Sequence, residues 1–187
     1  SFCTDDKIHR VAYAASFGVD CWEYPKSQTK KCRELIKLFD GISVREASGI
    51  ALCKKHLGCN AIEVLDPTLL LTCDKYSSIC EGVVPATSKY LAAYVLDMND
   101  EKRKVIEAIA SKERLPIKWF HTDKSCVLSV EEWIASFRDA AFVVTDSFHG
   151  TVFSIIFNHD FYSIVNENRG ASRFYSLLLK FGLMERV

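Results

Sequence analysis

The chain has 187 residues, with 24 basic and 24 acidic side chains and a formal net charge of zero. Apolar residues make up 49% of it, so it can build a sizeable core, and disorder is excluded. The balanced charge argues against a nucleic-acid partner, though local positive clusters could still hold a small anion.

Eight cysteines (Cys3, Cys21, Cys32, Cys53, Cys59, Cys73, Cys80 and Cys126) form no CxxC pair. That spacing points to reduced thiols in a cytosolic protein and offers no zinc site. No apolar run has transmembrane length, and the short polar start does not resemble a signal peptide. This start runs abruptly into a core-like strand, as expected of a fragment.

Residues 8–15 (IHRVAYAA) predict a strand, closed by Ser16-Phe17-Gly18. Gly18 permits a tight turn or close backbone approach to a ligand. Residues 27–39 predict an amphipathic helix, with Cys32, Leu35, Ile36 and Phe39 at i, i+3, i+4 and i+7. Ser27 or Thr29 is its expected cap, and Gly41 marks its end. A strand over 42–45, a helix over about 46–55 stopped by Gly58, and a strand over 61–65 broken at Asp66-Pro67 follow. Residues 69–88 are irregular and read as a linker.

A second series begins with a strand over 90–96. Asp100 is the expected cap of a helix over 101–112, and a strand over 117–121 comes next. Ser129 and Glu132 match a capping box before a helix whose Val130, Trp133, Ile134 and Phe137 share one face. The strand 142–145 then enters the turn Asp146-Ser147-Phe148-His149-Gly150. A buried helix over 151–157, a strand over 161–165 and a helix over 172–181 complete the chain. Short connections between alternating strands and helices predict parallel sheets covered on both faces. The expected fold class is α/β with Rossmann-like parallel-sheet layers: residues 1–72 as the remainder of an N-terminal domain, 73–88 as linker, and 89–187 as a more complete C-terminal domain. Neither a dinucleotide-binding glycine fingerprint nor a P-loop is present.

Three places could carry chemistry. His149 falls in the first turn of a helix that Asp146 or Ser147 can cap, near free backbone N–H groups that attract an anion. There it could donate a proton to a bound anionic substrate, or only hydrogen-bond the turn. Arg45 ends a strand directly before a helix; its guanidinium suits a carboxylate or phosphate, and Glu46 offers a salt-bridge alternative. Asn168-Arg169-Gly170-Ala171-Ser172-Arg173 is either an anion-binding turn or a solvated loop with a serine cap. His159 and Asp160 lie at the far end of the His149 helix and read as turn residues.

The segments Ala12 to Gly18, Phe39 to Glu46, Val64 to Leu70, Val143 to Phe157 with its Thr-Asp-Ser-Phe-His-Gly centre, and Asn168 to Phe174 hold their order over nearly the whole chain. Together they resemble the polysaccharide pyruvyl transferase family, especially its Bacteroides-type branch. Family members are about twice this length, so the resemblance implies that the first part of the N-terminal domain is absent. It also implies a GT-B-like fold. The implied activity is transfer of a pyruvyl group from phosphoenolpyruvate to sugar hydroxyls of a surface-glycan precursor, forming a ketal and releasing phosphate.

By the same resemblance, His149 is the catalytic acid and Arg45 grips the donor. Ser147 stands where other members carry an arginine, and Arg169 or Arg173 would then replace that charge. Ser16, Gly18, Ser147 and Asn168 complete the expected substrate-binding set. Neither a metal nor a cofactor is expected. The expected partners are phosphoenolpyruvate and a lipid- or nucleotide-linked saccharide, in the cytoplasm near the inner face of the membrane. Two alternatives stay open: a GT-B glycosyltransferase using a nucleotide sugar, and a non-catalytic or truncated glycan-biosynthesis protein.

Overall fold

The computed structural model describes residues 7–120, 128–165 and 170–187. Up to Pro67 the elements are β1 (Val11–Ala15), α1 (Lys26–Ile36), β2 (Gly41–Val44), α2 (Ala47–Leu52) and β3 (Ile62–Glu63). A π-helical turn, Cys53–Leu57, continues α2. Beyond Pro67 come α3 (Cys73–Ile79), β4 (Leu91–Tyr94), α4 (Asp100–Glu113), β5 (Ile117–Trp119), α5 (Val130–Arg138), β6 (Phe142–Thr145), α6 (Phe148–Ile156), β7 (Asp160–Ser163) and α7 (Ala171–Phe181). The chain forms two α/β units. The first holds Ser1–Pro67 and Asn166–Met184; the second holds Thr68–Val165 and Glu185–Val187. Both sheets are parallel, as alternating strands and helices require.

In the first unit the strand order is β1-β2-β3. Val44, Cys53, Leu57 and Ala61 form the core, with Phe17, Trp22, Ile36, Ile42 and Ile50 packed against it. Gly58 takes φ +71° and ends the π-helical turn, a conformation that favours glycine. The expected limits of α1 need correction. Pro25 occupies its N-cap without a side-chain cap. The Thr29 hydroxyl instead accepts from Trp22 Nε1 at 2.9 Å and donates to Pro25 O at 3.1 Å. The helix stops at Ile36, and Gly41 opens β2. α1 buries none of its residues, so the apolar spacing out to Phe39 did not determine its length.

In the second unit the order is β5-β4-β6-β7. One face of the sheet packs Leu91, Ala93, Val95 and Val144 against Ile106 and Ala110 of α4. An aromatic cluster of Phe120, Trp133, Phe137 and Phe153 forms around Tyr94. Ser129 caps α5 with the full reciprocal box predicted from Glu132. Asn99, and not Asp100, caps α4, accepting from Lys102 N at 2.8 Å.

The domain expectation also needs two corrections. Residues 73–88 are not simply a linker, because α3 buries Tyr76 with its ring 4.9 Å from Phe153. Its hydroxyl donates to Thr68 O at 2.8 Å. The second unit therefore begins well before residue 89. Helix α7 belongs to the first unit, not to the C-terminal domain. Lys180 Nζ lies 3.1 Å from Glu63, and Ser176 Oγ accepts from Ala47 N at 3.2 Å. Among the described residues no helix is long and apolar enough to cross a membrane.

Candidate functional site

The second unit builds the turn between β6 and α6 from committed hydrogen bonds. Thr145 Oγ1 donates to Tyr94 O at 2.6 Å and accepts from Ser147 N at 3.1 Å. Asp146, 1% exposed, accepts from Leu96 N at 2.6 Å, Asp97 N at 3.1 Å and Lys102 Nζ at 2.7 Å. This carboxylate ties the end of β6 to the loop after β4 and to Lys102 of α4. Ser147 is the N-cap of α6, its Oγ accepting from Gly150 N at 3.4 Å. Thr151 and Ser163 join their hydroxyls at 2.6 Å behind the turn.

These contacts leave one side chain outside. From Phe142 to Ser154 every residue is buried except His149. His149 is the second residue of α6, where backbone N–H groups lack helical acceptors and the helix dipole is positive. An imidazole here faces solvent on a rigid mount, beside a turn that favours anions. His159, at the other end of α6, is different. Its Nε2 lies 2.7 Å from Phe137 O, and burial lowers its pKa, partly offset by hydrogen bonds to the backbone at Phe137 and Arg138. That suits its expected part as a turn residue.

The first unit gathers the other charged candidates. Arg45 follows β2, and its guanidinium pairs with the buried Asp66 carboxylate. Glu46 is fully buried, and its Oε1 accepts from Ser16 Oγ at 3.2 Å, Phe17 N at 2.5 Å and Gly18 N at 3.0 Å. The loop after β1 thus spends these donors on Glu46. Arg173, in the first turn of α7, has a lowered pKa because of its burial and, second, the nearby Arg45 charge; Glu46 and Asp66 act against this. Two guanidinium and two carboxylate groups therefore share one neighbourhood. Gly170 faces the same loop, where a Cβ would lie 2.9 Å from Gly18 O. Only glycine allows these two backbones to meet so closely at its φ of +86°.

Ser16, Gly18, Arg45 and Arg173 thus come together in the first unit, whereas Ser147 and His149 share the α6 turn of the second. Asn168 and Arg169 lie outside the described residues. Glu46 and Asp146 are the residues whose importance sequence reasoning missed. Each directly follows the end region of a central parallel strand and accepts two consecutive backbone N–H groups from the loop after the neighbouring strand. An acidic residue at that position was the available signal. Among the described residues no cluster of His, Cys, Asp or Glu could hold a metal ion.

No curated protein matches the chain significantly. A structure of the wall teichoic acid polymerase TagF is similar at 11% identity, with a TM-score of 0.41, over 83% of this chain and 45% of that one. The chain thus spans less than half of that polymerase's length. The family profile described as polysaccharide pyruvyl transferase matches residues 3–168, taking in β1 through β7, the α6 turn with His149, and Arg45, Glu46 and Asp66, but not Gly170 or Arg173. The chain belongs to the polysaccharide pyruvyl transferase family.

Proposed function

We propose that the protein moves a pyruvyl group from phosphoenolpyruvate to two hydroxyls of a saccharide in surface-glycan synthesis, as a GT-B-like enzyme of the Bacteroides-type branch working in the cytoplasm. The observation that carries this reading is His149, the one exposed side chain in the buried stretch from Phe142 to Ser154. Membership of the family supports the same reaction class.

The chemistry starts when His149 gives a proton to the methylene carbon of phosphoenolpyruvate, making a methyl group and an electrophilic C2. One sugar hydroxyl adds at C2 and loses its proton. A second hydroxyl then displaces inorganic phosphate from C2 and loses its proton, closing the cyclic ketal. The imidazole gives one proton to the methylene carbon; of the two protons that the hydroxyls release, one leaves with the phosphate and the other restores the imidazolium. No external oxidant or reductant enters. Arg45, paired with Asp66, and the nearby Arg173 are the cations proposed for the donor's carboxylate and phosphate. The Ser147 hydroxyl, engaged with Gly150 N, acts by capping the helix that carries His149.

The test is phosphate release from phosphoenolpyruvate by the full-length protein with a glycan acceptor, followed by mass spectrometry of the product. His149→Ala should reduce turnover by about 100-fold or more, the usual worth of a general acid. Equal turnover by that variant would remove His149 from the mechanism. Transfer from a nucleotide sugar, with phosphoenolpyruvate unused, would overturn the reaction itself.

A further inference from the structure

Helix α1 stands on the first unit with every residue at least partly exposed. An isolated helix of its length would be marginal in water, so packing must hold it. That packing comes from one side: Arg33 Nε donates to His56 O at 2.6 Å, and Trp22, just before α1, stacks on His56 at 4.7 Å. The exposed surface bordering this packed side is basic.

Lys26, Lys30, Arg33 and Lys37 recur at i, i+4, i+7 and i+11, which places them on one stripe of the helix. At 1.5 Å per residue the stripe is about 16 Å long. Lys31 adds to α1, and Lys54 and Lys55 lie exposed on the π-helical turn that α1 packs against. Glu34 is the sole acid within α1, and it pairs with Lys37 at 3.0 Å. Among the described residues Lys26, Lys30, Lys31, Lys54 and Lys55 form no ion pair with an acid. The concentration is local, because the whole chain is electrically balanced.

We propose that this basic face docks on an anionic lipid surface. Exposed lysines that form no ion pair and outnumber the single acid of α1 match a diffuse sheet of negative headgroups, and each contributes separately to the attraction. The chemistry fits a protein partner less well. Lysine is depleted from protein interfaces, whose affinity usually centres on buried aromatic or arginine anchors. The stripe offers no aromatic anchor, and its single arginine is engaged with His56 O. Docking by α1 would hold the enzyme where lipid-linked acceptors are found. The attraction itself is independent of pyruvyl transfer and is measured without substrate.

The experiment is cosedimentation of the 187-residue chain with vesicles of phosphatidylcholine alone or mixed equally with phosphatidylglycerol. Binding is expected only to the mixed vesicles, and it should weaken as salt shortens the range of the charges. Replacing Lys26, Lys30 and Lys54 together by serine should lower the partition coefficient roughly a hundredfold, about fivefold per lysine. A control triple replacement of Lys89, Lys104 and Lys112, exposed residues of the second unit, should leave it within about twofold. Equal binding to neutral vesicles, or equal loss in both triple variants, would overturn the proposal. So would displacement from the mixed vesicles by duplex DNA or an acidic protein at lower charge concentration than lipid.

Discussion

Gly150 lies so close to Thr145 that a Cβ added to the glycine would stand 2.3 Å from the Thr145 Oγ1. The threonine cannot easily turn away. Its hydroxyl is fixed between Tyr94 O and Ser147 N, and its Cβ and Cγ2 would both lie 3.0 Å from the added carbon. Close packing of helix α6 on strand β6 thus requires glycine directly after His149. Gly150→Ala should destabilise the protein by about 2 kcal/mol through overpacking. Urea denaturation would measure it. Thr145→Ala should relieve most of this cost in the double variant, despite its own loss of hydrogen bonds; additive losses would show that the clash is not the cause.

Glu46 holds the loop after β1 by accepting from Phe17 N, Gly18 N and Ser16 Oγ while fully buried. Glu46→Ala strands those donors, so a loss of about 3 kcal/mol is expected. Glu46→Gln keeps one acceptor oxygen and should lose about 1 kcal/mol. Hydrogen exchange at Phe17 and Gly18 supplies a local readout. Unchanged protection in the alanine variant would mean that Glu46 does not order this loop.

The thiols should divide by burial. Cys21, Cys32 and Cys73 are exposed, whereas Cys53 and Cys80 are buried. Burial pushes the Cys53 thiol up to about 11, with Cys59 and Glu46 adding to the shift. Burial also raises the Cys80 pKa. At pH 8, brief alkylation followed by peptide mass spectrometry should therefore label the three exposed cysteines and spare Cys53 and Cys80. Rapid labelling of Cys53 in the folded protein would contradict the packing of the first unit.

His159 gives acid sensitivity of a defined sign. Its folded pKa lies below the ordinary 6.5, chiefly because of burial. Above pH 6.5 both folded and unfolded forms are neutral, and the contribution to stability is fully present. As pH falls below 6.5 the unfolded state takes up the proton first, so this stability is lost down through the folded pKa. Stability measured by urea between pH 8 and pH 5 should fall less steeply in His159→Gln than in the parent. An identical slope would assign the acid sensitivity to other groups.

Local signals in the sequence determined much of the second unit. Ser129 and Glu132 are three residues apart, so their capping box needs no distant partner. The apolar run Phe142–Thr145 and the serine before His149 likewise specify a buried strand and a capped helix from neighbouring residues alone. Helix α3 was hidden because one residue, Tyr76, anchors it, and its partner Phe153 lies far along the chain. The placement of α7 was hidden for a similar reason: its ties reach Ala47 and Glu63.

The same division applies to the candidate site. Sequence alone marked His149, Arg45 and Arg173, through residue type and position at element ends. Tertiary structure decided that His149 is exposed while its neighbours are buried, and that Arg45 and Arg173 share a neighbourhood with two carboxylates. It also gave Glu46 and Asp146 their tasks, because their backbone donors lie 28 to 50 residues away. Short-range hydrogen bonding and apolar patterning are written in adjacent residues. Burial and charge environment depend on which distant segments the parallel sheets bring alongside.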